Sequence, residues 1–165
     1  MPAGTLSYKI IEQPNGNSRT ASVSIDLKSA NRVIERALEL ARAESLKPMT
    51  ICVLDAGGHF VCGQREDKSS LLRFEIAFGK AWGALGMGHS TRFFEDVLVK
   101  RRPYFANSLE AASHGRFITV YGGVLIRDKG GELIGAIGVT GDTGENDERI
   151  AVAALEHCGF VPDLS

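Results

Sequence analysis

The run Val120 to Asp147, VYGGVLIRDKGGELIGAIGVTGDTGEND, constrains the fold more than any other stretch of this chain. It reads as a strand, a turn at Lys129-Gly130-Gly131, a second strand and a glycine-rich corner that opens a helix. Two strands joined by so short a turn pair antiparallel. Glycine at this density beside apolar β-formers brings backbone close to something, either a neighbouring element or a ligand.

The rest of the sequence repeats that grammar. Thr50 to Asp55 and His59 to Gln64 flank Ala56-Gly57-Gly58 and form a first hairpin, and Phe117 to Ile126 with Glu132 to Thr140 form the second. Asp26 is placed to cap a helix in which Ala30, Val33, Ile34, Ala37, Leu38 and Ala41 share one face, stopped by Lys47-Pro48. Ser69 to Gly86 reads as a second helix, with Leu72 and Ile76 inward and Lys80 reaching outward. Its small residues Ala81, Gly83, Ala84 and Gly86 allow another backbone to come close. A third helix, capped by Ser90 or Thr91, runs to about Lys100, and a fourth runs from Pro103 to near Gly115. Asn146 or Asp147 caps a last helix striped with Ile150, Ala151, Ala154, Leu155 and Cys158 and closed by Gly159. Ser22 to Ile25 adds a short strand. Hairpins with helices between them argue for an α+β domain, an antiparallel sheet of about five strands flanked by helices. Residues 1–25, with a turn-rich Pro14-Asn15-Gly16-Asn17, read as an N-terminal arm, and residues 26–165 as one domain.

Nineteen basic and twenty acidic side chains without a block of either sign leave no footprint for nucleic acid or an anionic membrane. No apolar run approaches the roughly 20 residues of a membrane span, and the start lacks a secretory signal, so a cytoplasmic protein is expected. Cys52, Cys62 and Cys158 show no CxxC spacing and read as reduced core residues. His59, His114 and His157 are scattered and form no metal cluster.

The runs VLDAGGHFV, QREDKSS, EIAFGKAWGALGMG, YGGVLIRDKGGELIGAIGVTGD and NDERIAVAALE occur in an order that resembles the GlcG/HbpS family of haem-binding-like proteins, which includes the C-terminal domain of PduO. The likeness spans roughly Leu27 to Phe160. It implies a profilin-like antiparallel sheet with packed helices, and assembly into dimers or higher homo-oligomers. Members include haem binders and degraders, corrinoid-associated domains and a hydroxylaminobenzoate lyase, and a shared fold does not choose among them.

Two functional readings follow. In the first, the protein binds haem or a related tetrapyrrole. Thr91 matches a threonine that approaches iron in a haem-binding member, with Ser90 where that member has proline, and His89 beside it is the stronger iron ligand by chemistry. Arg65, Arg92 or Arg102 would hold propionates. In the second, a cofactor-independent lyase or isomerase acts on a small aromatic or hydroxy acid, with Arg65 on the carboxylate and Asp142, Glu145 or His89 moving protons. The Gly138-Val139-Thr140-Gly141 corner lacks a dinucleotide fingerprint, yet amides around Gly141 would suit a small anion at a helix start. An oligomeric scaffold without chemistry is the third possibility.

Overall fold

The computed structural model describes residues 24–165. Ten elements follow one another: α1 (Leu27–Ala43), β1 (Thr50–Asp55), β2 (Phe60–Arg65), α2 (Arg73–Met87), α3 (Thr91–Phe93) running into a π-helical turn (Phe94–Val99), α4 (Pro103–Ala112), β3 (Gly123–Arg127), β4 (Leu133–Thr140), α5 (Gly144–His157) and β5 (Val161–Asp163). The strands form one antiparallel sheet in the order β2-β1-β4-β3-β5. This is the α+β architecture expected from the paired hairpins.

Alternation along the strands decides what lies on each face. Ile51, Val53, Val124, Ile126, Ile137 and Val139 meet the apolar stripes of α1 and α5. On the other face Leu54, Leu125 and Ala136 meet Ala81 and Ala84 of α2. From Ile134 on, β4 is buried at every position because helices cover both of its sides. α1 begins as its sequence dictates, with Asp26 accepting the amide hydrogen of Ser29 at 2.8 Å.

Several boundaries differ from expectation. The arm, including Pro14-Asn15-Gly16-Asn17, and Ser22 and Val23 of the expected first strand lie outside the described residues. Ile25 is not in a strand, although its amide donates to the Ile134 carbonyl at 2.9 Å. The fifth strand is Val161–Asp163 instead, too short and proline-bearing to show a strand pattern. α2 starts at Arg73, since Ser69 and Ser70 lie between two turns, closed by the Glu66 and Ser70 carbonyls. Residues 117–122 precede β3 without joining it. The cap of α5 is Thr143, whose hydroxyl accepts from the Asn146 amide, because Asp147 is buried in another role.

Candidate functional site

A cleft of about 310 Å³ opens where the end of β4, the start of α5, the first half of α2 and the π-helical turn converge. Its base is an ion pair. Lys80 on α2 and Asp147 on α5 are each 1% exposed, with Nζ donating to Oδ2 at 3.0 Å and to the Val139 carbonyl at 2.8 Å. Asp147 Oδ1 accepts the Asp142 amide at 2.9 Å, so both carboxylate oxygens are bonded. Lys80 does not reach outward as its charge suggests. It falls in the stripe Ala77, Lys80, Ala81, Ala84, which the helical repeat turns to the sheet.

Gly122 makes room for the pair. Its φ is +113°, a region side chains avoid, and a Cβ there would stand 3.0 Å from both Lys80 Nζ and Asp147 Cβ. Burial favours the neutral form of each partner: it pulls the lysine down and pushes the aspartate up, and their mutual attraction works the other way in both. A buried ion pair with shifted titration at the base of a cleft marks a candidate functional site.

The walls carry further polar groups. Arg73 donates to Thr140 Oγ1 at 2.6 Å, and Glu95 accepts the Tyr121 amide at 3.0 Å. The Tyr121 hydroxyl donates to Asp96, which lifts the phenol to about 12, and Arg92 lies over the Tyr121 ring, 5.2 Å from its centroid. Glu95 and Asp96 belong to the π-helical turn, a distortion found often at functional sites. Asp142 accepts from the Asn146 side chain and from the amides of Thr143 and Lys47, and these bonds hold its carboxyl down at about 2. A carboxyl held that low stays ionised at neutral pH, which suits it to orient or attract rather than to release a proton.

A pH test follows for Asp142. A depressed folded-state pKa adds stability that is present above the ordinary value of 3.8 and lost as pH falls through about 2. After solvent screening, Asp142→Asn should remove about 1 kcal/mol at pH 7. Urea unfolding across the acid range should show the gap between the two proteins closing as pH falls. A gap that does not depend on pH would contradict this account.

The residues singled out from the sequence separate into distinct places. Asp142 and Glu145 line the cleft, and Glu145 is exposed. Arg65 lies at the far end of β2, donating to the Ser69 carbonyl at 2.5 Å, beside an open hollow of about 420 Å³. His89 follows the left-handed Gly88 that ends α2, and its ring stacks on Phe93 at 4.1 Å. Its Nδ1 is buried without a partner, while Nε2 is neither enclosed nor bonded among the described residues. Thr91 is fully buried; its hydroxyl accepts the Gly123 amide at 2.8 Å and faces the Gly123 carbonyl at 3.4 Å. Arg92 grips Glu148 through Nε and Nη2. Arg102 lies 4.6 Å from the centroid of the exposed Phe105 ring. Gly141 packs on Pro48 and Met49, where a Cβ would come within 2.5 Å of the Met49 sulfur. The amides of Asp142, Thr143 and Asn146, which an anion at this helix start would use, are bonded to the chain's own side chains. Sequence reading missed Arg73, Lys80, Glu95 and Tyr121. Of these only Lys80 carried a signal, its place within the small-residue stripe.

Among the described residues, no three or more His, Cys, Asp or Glu side chains converge as for a metal ion, and no helix is long and apolar enough to cross a membrane. The chain is 31% identical over 145 residues to the corrinoid adenosyltransferase PduO of Salmonella typhimurium, covering 87% of this chain but only 41% of that protein. The chain therefore spans less than half the length of that relative. A crystal structure of a PduOC:heme complex superposes with a TM-score of 0.72 at 28% identity, covering 81% of this chain and 94% of that one. A crystal structure of HbpS matches at a TM-score of 0.68 and 25% identity, covering 88% and 97%. The model of the HbpS-like family, described as haem degrading protein HbpS-like, matches residues 25–156. With that match over most of its length, on the antiparallel sheet and helices described above, the chain belongs to the HbpS-like family.

Proposed function

We propose that this protein binds a small molecule, haem or a related tetrapyrrole, as a cytoplasmic homo-oligomer. The observation that carries this reading is the likeness in sequence and fold to the PduOC domain crystallised with heme. The hollow beside Arg65 is open and polar and the Lys80 cleft is charged, so neither is an apolar slot for a porphyrin. The surface around His89 fits better. There an imidazole with an unbonded Nε2 lies flat on Phe93, and the Arg92 side chain, 47% exposed, is near in sequence. Haem would bring a redox-active iron. The chain would contribute the His89 nitrogen as its ligand, and Thr91 would hold the neighbouring backbone through the Gly123 amide.

Titration of the purified protein with hemin, followed at the Soret band, tests this. Saturable one-to-one binding is expected, and His89→Ala should weaken it by about tenfold or more, equivalent to about 1.4 kcal/mol. Thr91→Ala, with its thermal stability measured in parallel, separates an iron contact from a purely structural one. Non-saturating binding that neither change affects would overturn the proposal.

A second reading, a cofactor-independent lyase or isomerase on a small acid, is favoured by the Lys80–Asp147 cleft. Arg65 opens on a different hollow, so within this reading the carboxylate partner is Arg73.

A further inference from the structure

We propose that the cleft over Lys80 and Asp147 binds a small amphoteric acid, a carboxylate and an ammonium joined by a short apolar body. The inference rests on the second reading, that this cleft takes a small acid, and it specifies the class of that acid.

The groups around the cleft differ in how far the protein already satisfies them. Two positive side chains, Arg73 and Lys80, line the cleft with four negative ones, Glu95, Asp142, Glu145 and Asp147. A plain anion is poorly matched to that excess. Most of these groups are already hydrogen-bonded within the protein, however. Asp147 is neutralised by Lys80, Asp142 accepts three donors, and Glu95 accepts the Tyr121 amide. Among the described residues Glu145 has no hydrogen-bond or ion-pair partner, and Arg73 has one, the Thr140 hydroxyl. What remains unbonded is the Glu145 carboxylate, one oxygen of Glu95 and most of the Arg73 guanidinium fork, opposite signs at a single opening. Lys80 adds a donor and no further net charge, since an ammonium has three protons and protein atoms accept two of them. Ile76, Val120 and the Tyr121 ring supply apolar wall around these groups. A volume of about 310 Å³ sits at the small end of ligand pockets, which admits a compact acid.

In this assignment Arg73 and the third Lys80 proton take the carboxylate, and Glu145 takes the ammonium. The test is a titration of 15N-labelled full-length protein, reading the amides of Tyr121, Asp142 and Thr143. Two matched sets serve as probes: L-valine with 3-methylbutanoate and isobutylamine, and 6-aminohexanoate with hexanoate and hexylamine. In at least one set the amphoteric member should give saturable shifts and bind about tenfold or more tighter than both relatives. Glu145→Gln changes an exposed side chain and should lower the amphoteric ligand to the level of the plain carboxylate. Arg73→Gln should lower it to the level of the amine. Equal binding of the plain carboxylate would overturn the amphoteric assignment and leave the cleft as an acid site. No saturable shift with any of the six would overturn both.

Discussion

Lys80→Met is expected to cost about 3–5 kcal/mol of folding stability, and Asp147→Leu a similar amount, because each leaves the other charge buried alone. The double variant should cost far less than the sum, as two apolar side chains replace the pair. Its recovery stays incomplete, since the Val139 carbonyl and the Asp142 amide each lose a partner. Urea unfolding of the four proteins supplies the cycle, and additive costs would show that the two groups do not depend on each other. The sign of the pH response is also fixed. Burial already raises Asp147, and without the lysine it should rise further. A raised folded-state pKa gives stability that is full below the ordinary 3.8 and lost as pH climbs through the folded value. Lys80→Met should thus be less impaired near about pH 4 than near about pH 7. A deficit that is constant or larger in acid would contradict the account.

Gly138→Ala should destabilise the protein by about 3 kcal/mol or more, at the upper end for overpacking. A Cβ on Gly138 would collide with the Ala77 carbonyl of α2 and stand 3.0 Å from the Ala81 amide. Both obstacles are helix backbone, which no rotamer change can move aside. Relief would need α2 to shift away from β4, carrying Lys80 off Asp147 and opening the layer that Leu54, Ala81, Leu125 and Ala136 share. The thermal midpoint should drop sharply, and the amide shifts of Lys80 and Asp147 should move even where the variant folds. A midpoint near that of the unaltered protein would mean that the helix rides less tightly than described.

The sequence made the two hairpins and α1 readable because their information is local. Gly57-Gly58 and Gly130-Gly131 mark turns between β-rich runs, and the stripe from Ala30 to Ala41 repeats at the helical period. β5 was hidden, since Val161-Pro162-Asp163 acquires its strand character from pairing with Leu125 to Arg127. The site was legible only at its corner. Asp142 and Glu145 stand out beside the glycines, whereas Lys80 and Asp147 are 67 positions apart and each has a convincing local alternative, a surface lysine and a helix-capping aspartate. The thin end of α2 signalled a close approach without saying to what. The answer, Phe117 and Ile118 before β3 against Gly83, with the β4 backbone at Gly138 against Ala81, is a tertiary relation that no window of sequence contains.

The burial of β4 on both sides has a consequence for the timing of events at the cleft. Val139 and Thr140, which accept from Lys80 and Arg73, belong to the strand furthest from solvent, between β1 and β3. Their amide hydrogens should be among the last to exchange with deuterium, opening only with global unfolding, whereas Glu95 and Tyr121 sit outside the sheet and exchange through local fluctuation. The floor of the cleft is thereby clocked by the slowest motion of the molecule and its rim by a much faster one. A ligand of the kind proposed for this cleft would enter and leave many times while the lysine–aspartate pair beneath it keeps a single arrangement.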